Sequence, residues 1–316
     1  KQAMVPTRGS KIPNAHGTAP GAWFRDEAGR MAVLMPGVPR EMKAMWAEQV
    51  RPRLEAHQNC TIHSMTLRVL GGESSIASKV APLFESDNPT AAIYCKTGES
   101  EIRVTARAAT RAEAEAACRA RVEEFRAILG PCAYDVDVPG LAHTVVRVLR
   151  EQGLQAATAE SCTGGLVAQQ LTGVPGASEV FGYGFVTYAS AAKTRLLGVP
   201  AELIERCNVV SGPVAAAMAR GALKASGADL SVALTGLAGP GGALPGKPVG
   251  TVYLAGGDAR TGRVHLMRLD LGGYADRDNI RTRAALYALD LLRRMALGLP
   301  PEFGLTLEPG QPVPEL

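Results

Sequence analysis

The sequence predicts an α/β protein: a layered α/β domain over residues 138–298, a small α+β unit over 58–137, and a front segment over 1–57. Three observations carry this. Short strand-like apolar runs alternate with helical periodicities through the C-terminal half. Period-two alternation marks two strands of the middle unit. Glycine and proline clusters punctuate most of the joins.

Each element follows in order. In the front segment Met31-Ala32-Val33-Leu34-Met35 predicts a short buried strand that Pro36-Gly37-Val38-Pro39 stops. Met42, Met45, Trp46 and Val50 then recur at helical spacing, in too little chain to bury a sizeable core alone. In the middle unit, residues 61–70 alternate as a strand, and 74–84 form a helix with Ile76, Val80, Leu83 and Phe84 on one face. Further strands are predicted at 90–94 and 100–107, with Ile102, Val104 and Ala106 alternating. Thr110 and Glu113 have the spacing of a capping box, opening an alanine-rich helix that Gly130-Pro131 ends near residue 129.

The largest unit opens with a helix at 141–152, followed by a strand at 154–158 and a helix at 163–171. A strand at 185–188 and helices at 190–197 and 211–226 come next. A strand at 230–234 feeds a glycine-rich loop. Strands at 250–255 and 263–269 are placed to form a hairpin, and an arginine-rich helix spans 276–295. The tail over 299–316, rich in proline and glycine, is expected to be poorly ordered.

Bulk composition narrows the function. The chain has 316 residues, with 46% hydrophobic and 20% charged, as in a soluble globular protein. With 34 basic against 30 acidic side chains, the net charge of +4 is far from a strong nucleic-acid footprint. Cys60, Cys95, Cys118, Cys132, Cys162 and Cys207 are scattered without a CxxC pair, and buried thiols in a reducing compartment are expected. His16, His57, His63, His143 and His265 lack metal-ligand spacing, so neither a metal nor another cofactor is expected. No apolar run reaches the ~18 residues that span a bilayer, and no leader pattern precedes the first element. A cytoplasmic location without membrane partners is expected. The chain opens on Lys1, and Lys1-Gln2-Ala3-Met4-Val5-Pro6 is expected to be interior to a longer or processed polypeptide.

The chemistry concentrates in two stretches. The first is Ala159-Glu160-Ser161-Cys162-Thr163-Gly164-Gly165, the second Val186-Thr187-Tyr188-Ala189-Ser190-Ala191-Ala192-Lys193. A serine is a weak nucleophile until a base takes its proton, and a lysine is such a base only when its pKa is lowered. Ser161 is predicted at the mouth of a helix, where free N–H groups and the dipole suit an oxyanion or phosphate. On pattern alone, capping by Ser161 or Thr163 is an equal alternative. Tyr188 is predicted at a strand end and Lys193 in the first turn of the next helix, where the dipole lowers a lysine pKa. The alternative is a solvated surface lysine. A third stretch, Thr235-Gly236-Leu237-Ala238-Gly239-Pro240-Gly241-Gly242, follows a strand and suits a phosphate cradle or a long tight turn. It is neither a Walker A loop nor a dinucleotide fingerprint. Arg277, Arg281 and Arg283 either hold an anion or face solvent.

Taken together, these residues resemble the competence/damage-inducible CinA family, whose C-terminal domain is a nicotinamide-nucleotide amidohydrolase, or nicotinamide mononucleotide deamidase. The resemblance covers about residues 138–296. It rests on Thr158-Ala159-Glu160-Ser161-Cys162-Thr163-Gly164-Gly165, Gly173-Val174-Pro175-Gly176-Ala177-Ser178, Val186-Thr187-Tyr188, Lys193, Leu197-Gly198-Val199-Pro200, Val210-Ser211, the 235–240 loop and Pro248-Val249-Gly250-Thr251-Val252. It implies hydrolysis of nicotinamide mononucleotide to nicotinate mononucleotide and ammonia, in pyridine nucleotide salvage. Ser161 is then the nucleophile, Lys193 its base, and Tyr188 an orienting or proton-relaying partner. Thr163, Gly164 and Gly165 are expected around the oxyanion. Ser211, Thr235, Gly236, Ala238, Gly239, Arg277 and Arg281 are expected around the rest of the substrate. A homodimer is also implied.

The front of the chain is similar to the same family. Asn14-Ala15-His16-Gly17-Thr18-Ala19-Pro20-Gly21 and Met35-Pro36-Gly37-Val38-Pro39-Arg40-Glu41-Met42 resemble the last part of its molybdopterin-binding-like domain, associated with ADP-ribose pyrophosphatase activity. The half carrying the nucleotide loop and metal-linked acids lies outside this sequence, so that activity is not expected here. The middle unit resembles the family's KH-like domain, but no GxxG loop is present for clamping nucleic acid. The family name also implies a second class of function, a nucleotide-sensing or interaction module linked to competence or DNA damage, without turnover. Retention of Ser161, Tyr188 and Lys193 favours the enzyme.

Overall fold

The computed structural model describes residues 7–56, 60–273 and 275–316. The opening stretch 1–6, His57 and the expected boundary at 57–58 lie outside the described residues. Two compact units form, one from residues up to 63 with 107–116, the other from 64–106 with 117–316.

In the first unit β1 (Ser10–Ile12), β2 (Gly21–Arg25) and β3 (Met31–Leu34) pair in that order as an antiparallel sheet. The expected strand at 31–35 is therefore one of three, and it is exposed rather than buried, with only Val33 turned toward the core. Helix α1 (Pro39–Met45) runs through a π turn at Trp46–Val50 into α2 (Arg51–Glu55). Ile12, Met45 and Val50 form a small core with Trp23, Val33 and Leu54 packed on it.

The KH-like part, most of which belongs to the second unit, contains β4 (Thr61–Leu70), α3 (Glu73–Val80), β5 (Thr90–Lys96), β6 (Glu99–Ala108), α4 (Arg111–Leu129) and β7 (Ala133–Val136), with sheet order β5-β6-β4-β7. Helix α3 stops at Val80, short of the expected residue 84, because Pro82 forces a 3-10 turn over Ala81–Phe84. The capping box at the start of α4 is formed: Thr110 N–H donates to Glu113 Oε2 at 3.1 Å, and Glu113 N–H to Thr110 Oγ1 at 3.3 Å. A buried Arg68 joins β4 to β6 and β7 through Glu99, Glu101 and the Tyr134 hydroxyl.

The remaining elements are α5 (Leu141–Gln152), β8 (Ala156–Glu160), α6 (Leu166–Thr172), β9 (Phe181–Val186), α7 (Ser190–Leu197), α8 (Ala201–Cys207), α9 (Gly212–Ser226), β10 (Leu230–Gly236), β11 (Thr251–Asp258), β12 (Val264–Asp270), α10 (Arg277–Ala296) and β13 (Leu305–Leu307). They build one mixed sheet in the order β13-β12-β11-β10-β8-β9. Strand β8 is parallel to both neighbours, while β10 through β13 are mutually antiparallel, including the expected hairpin β11–β12. One face carries α5, α6 and α10 over Val145, Leu149, Val167, Leu234, Leu254 and Leu289. The other carries α7, α8 and α9 over Leu197, Met218, Ala233, Tyr253 and Leu266. Burial of these two apolar layers is the main stabilising term.

Two features fix the surroundings of the site. Asp290, 2% exposed, binds both Arg293 and Arg294, and Arg293 reaches back to the Pro131 carbonyl at 2.7 Å. The end of the KH-like part is thereby tied to α10. The tail is also ordered, contrary to expectation. Strand β13 pairs with β12, Leu307 is buried, and the Tyr253 hydroxyl donates to the Leu316 carbonyl at 2.9 Å. Among the described residues no helix is long and apolar enough to cross a membrane. Cys118 and Cys162 are buried thiols as expected, but Cys95 is exposed and the other three are half-buried.

Candidate active site

Strand β8 leads through α6 to β9 on one side, and β9 returns through α7, α8 and α9 to β10 on the other side of β8. The C-terminal end of β8 is thus a topological switch point, where open α/β sheets form ligand crevices. Ser161 stands there. Its N–H donates to the Leu234 carbonyl of β10 at 3.0 Å, and the adjacent Glu160 carbonyl accepts from Thr187 N–H at 2.8 Å. The serine is therefore held from both neighbouring strands.

Lys193 lies in the first turn of α7 with 0% exposure. Its Nζ is 3.0 Å from Ser161 Oγ, 2.7 Å from the Thr187 carbonyl and 3.3 Å from the Tyr188 carbonyl. Among the described residues no carboxylate pairs with it. Burial without a counter-ion penalises the ammonium and brings its pKa from the ordinary 10.5 down to about 8. Desolvation thus dominates, where the sequence suggested the helix dipole. The three partners also suit the neutral amine: two N–H bonds to the carbonyls leave the lone pair for the Ser161 hydroxyl. The Cys162 thiol is buried beside them and pushed up to about 11, chiefly by desolvation, so it stays protonated.

The segment after Ser161 is a turn, not the start of a helix. Gly164 and Gly165 have φ of +61° and +95°, a region that favours glycine, and α6 begins only at Leu166. Gly164 N–H donates to the Ser161 carbonyl, and Gly165 N–H to Glu160 Oε2 at 3.0 Å. These two N–H groups are already bonded within the protein, a correction to their expected place around an oxyanion. The Thr163 hydroxyl is buried without a partner, outside the crevice lining. The Cys162 and Thr163 N–H groups both face the Cys162 sulfur, and neither meets an oxygen acceptor among the described residues.

Glu160 is the residue that the sequence reading passed over. It is 0% exposed and accepts from three backbone N–H groups: Gly165 and Val167 on Oε2, and Ala168 on Oε1 at 2.9 Å. It caps α6 from the preceding strand. The available signal was a lone carboxylate ending the small, buried strand Ala156-Ala157-Thr158-Ala159-Glu160.

A crevice of about 270 Å³ opens beside Ser161. Tyr188, Thr235, Gly236, Ala238, Gly239 and Arg277 all line it. The Thr235 hydroxyl donates to the Val209 carbonyl at 2.8 Å. Ala238 and Gly239 N–H groups have no acceptor among the described residues. Arg277 donates to the Gly239 carbonyl at 2.6 Å and to the Tyr188 hydroxyl at 3.4 Å. The Tyr188 ring is 64% exposed, so its phenol lies with Arg277 while its backbone carbonyl meets Lys193.

Two expected binders, Ser211 and Arg281, lie elsewhere, as does Arg283, the third arginine considered. Ser211 is buried as the N-cap of α9, accepting from Val214 N–H and donating to the Asn208 carbonyl. Arg281 is spent on the carbonyls of Cys162 and Thr163, at 3.2 and 2.9 Å, and so braces the turn from behind. Arg283 donates to the Leu271 carbonyl and lines a different cavity.

Comparison with known proteins agrees with this architecture. Residues 139–296 match the CinA C-terminal domain, and residues 64–134 match the damage-inducible protein CinA KH domain. A CinA-like protein of Desulfovibrio desulfuricans is 44% identical over 305 residues, covering 96% of this chain and 72% of the relative. The chain belongs to the CinA family. A second CinA-like protein, from Kosmotoga olearia, is 42% identical over 301 residues, covering 95% of this chain and 72% of its own length. The crystal structure of competence/damage inducible protein CihA from Agrobacterium tumefaciens aligns with 51% of this chain and 97% of its own, at 41% identity and a TM-score of 0.47. Membership accounts for the two C-terminal folds, and the chemistry of the crevice is argued below from its own side chains.

Proposed function

We propose that this member of the CinA family hydrolyses the carboxamide of nicotinamide mononucleotide, giving nicotinate mononucleotide and ammonia, with Ser161 as nucleophile and Lys193 as base. The observation that carries the reading is the 3.0 Å contact between Ser161 Oγ and a fully buried Lys193 that lacks a carboxylate partner among the described residues. A charged lysine there is desolvated without a carboxylate to offset its charge, whereas a neutral one can take the hydroxyl's proton.

The steps follow from the groups present. Ser161 Oγ attacks the amide carbon while its proton passes to Lys193 Nζ. Negative charge develops on the amide oxygen, and the Cys162 N–H, on the residue after the nucleophile and bonded to no oxygen among the described residues, is the donor this reading assigns to it. The Lys193 ammonium then protonates the leaving nitrogen, the C–N bond breaks, and ammonia departs. Water adds to the acyl–Ser161 ester, giving its proton to Lys193; the acyl–Oγ bond then breaks, Lys193 returns that proton to Ser161 Oγ, and the carboxylate product is released. The phosphate is assigned to Arg277 and the free N–H groups of Ala238 and Gly239, a charge-assisted site at the mouth of the crevice.

The test is ammonia release from nicotinamide mononucleotide by the wild-type chain and by Ser161→Ala and Lys193→Ala. Both variants are expected to lose nearly all turnover while their circular dichroism spectra stay unchanged. Rapid quenching followed by intact-mass measurement should capture a nicotinoyl-nucleotide adduct on Ser161. Binding of the substrate with no turnover in the wild type would point to the sensing module instead.

A further inference from the structure

A cavity of about 680 Å³, distinct from the catalytic crevice, lies within the second unit where the KH-like part meets α10. Its walls are Gly71 and Gly72 after β4, the β5–β6 turn from Cys95 to Gly98, and one side of α10. That volume falls in the ~300–1,000 Å³ range typical of small-molecule sites.

Its polar groups are left open. Arg283 is half-buried, makes one hydrogen bond, to the Leu271 carbonyl at 3.3 Å, and has no carboxylate partner among the described residues. Asn279 presents a side-chain amide that forms no hydrogen bond among the described residues. Lys96, at the end of β5, reaches only Glu101 among the described residues, at 3.9 Å, and that carboxylate is already held by Arg68. Glu302, which accepts from the Cys132 thiol at 3.9 Å, is the one acidic side chain among the described lining residues. Leu70, Leu286 and the Tyr287 ring supply the apolar part.

The close seating of the turn is built in. Gly98 has a φ of +79°, and a Cβ there would come within 2.8 Å of Leu286 and 3.2 Å of Arg283 Cγ. A half-buried guanidinium without a counter-ion is costly unless an anion completes it. We infer that this cavity is a second ligand site, for a phosphate monoester carrying a planar ring, that is, a mononucleotide. Lys96 and Arg283 take the phosphate, Asn279 hydrogen-bonds the ring or sugar, and the ring lies against Leu70, Leu286 and Tyr287.

The experiment is calorimetric titration of the whole chain with adenosine 5′-monophosphate, which has no carboxamide to hydrolyse, with adenosine and inorganic phosphate as separate arms. A binding event is expected that weakens at least tenfold in Arg283→Ala and in Lys96→Glu, and that survives in Arg277→Ala. Lys96 is exposed, so its variant keeps the test valid if Arg283→Ala fails to fold. Adenosine and phosphate alone should each bind at least tenfold more weakly than the nucleotide. The inference is overturned if no binding occurs below millimolar concentration, or if the only binding is untouched by Arg283→Ala and Lys96→Glu. It is also overturned if either fragment binds as tightly as the nucleotide. None of these outcomes depends on amidase turnover.

Discussion

If Lys193 is the base, the reaction rate must follow its deprotonation. With a pKa of about 8, roughly one lysine in ten is neutral at pH 7, against about one in three thousand at the ordinary 10.5. Burial therefore raises the competent fraction about 300-fold at neutral pH. At fixed saturating nicotinamide mononucleotide, ammonia release should climb close to tenfold per pH unit below 7 and level off above about 8.5. Lys193→Arg keeps the charge but cannot deprotonate near neutrality, and should lose ~10²–10⁴ of the rate. The same burial links to stability. Because the folded pKa lies below the unfolded one, the unfolded chain holds more protons between about 8 and 10.5, so stability should rise with pH across that window. The full difference is about 3 kcal/mol. Urea midpoints at pH 7.5 and pH 9.5, in wild type and Lys193→Met, measure this, the variant lacking the slope. A rate flat from pH 6 to 9, or an active Lys193→Arg, would refute the neutral-lysine scheme.

Other outcomes follow from the same geometry. Glu160→Gln leaves at least one of three buried N–H groups facing an amide, at a cost of about 1–3 kcal/mol; kcat should fall ~10–100-fold with KM within about threefold, read from initial rates at several substrate concentrations. Arg277→Ala should raise KM for nicotinamide mononucleotide by about tenfold or more while leaving kcat/KM for the phosphate-free riboside unchanged, which steady-state kinetics on both substrates checks. Asp290→Ala strands two buried guanidinium groups and should cost about 3–5 kcal/mol, seen as a lower urea midpoint with intact initial rates in mild buffer.

The strands and helices around the site were legible because their periods are clean, and the order of strands and helices after β8 already implied an α/β layer. The arginines show what one-dimensional reading left out. Arg277 and Arg281 are four apart and share a helix side, whereas Arg283, two further on, faces about 200° away and had to leave the group. Gly164 and Gly165 were read as the mouth of a helix, yet their left-handed φ values forbid a helical start, so the N–H groups expected there are turned back into the protein. Strand β13 has three residues and α8 has seven, too few for either period to show. The Ser161–Lys193 contact itself spans 32 residues and a whole β8–α6–β9 crossover, a distance that no local pattern encodes.

The placement of Glu160 explains why Lys193 is free to act. A buried carboxylate and a buried amine occupy the end of β8 and the start of α7, on either side of one serine. Paired with each other, they would lock the lysine in its charged form, because a close carboxylate raises a lysine pKa. Instead Glu160 is saturated by three N–H groups of the 165–168 segment, whose dipole end balances its charge. Among the described residues, the hydrogen-bond partners of Lys193 Nζ are two carbonyls and the Ser161 hydroxyl. The glycine turn is what allows this separation: Gly164 and Gly165 fold the chain back so that the start of α6 points at Glu160. A side chain at Gly165, with its φ of +95°, would strain the turn and release the carboxylate toward the lysine. Gly165→Ala should therefore raise the pH at which the rate reaches half its plateau, and an unchanged midpoint in a folded variant would show that the carboxylate and the amine are insulated by something other than this turn.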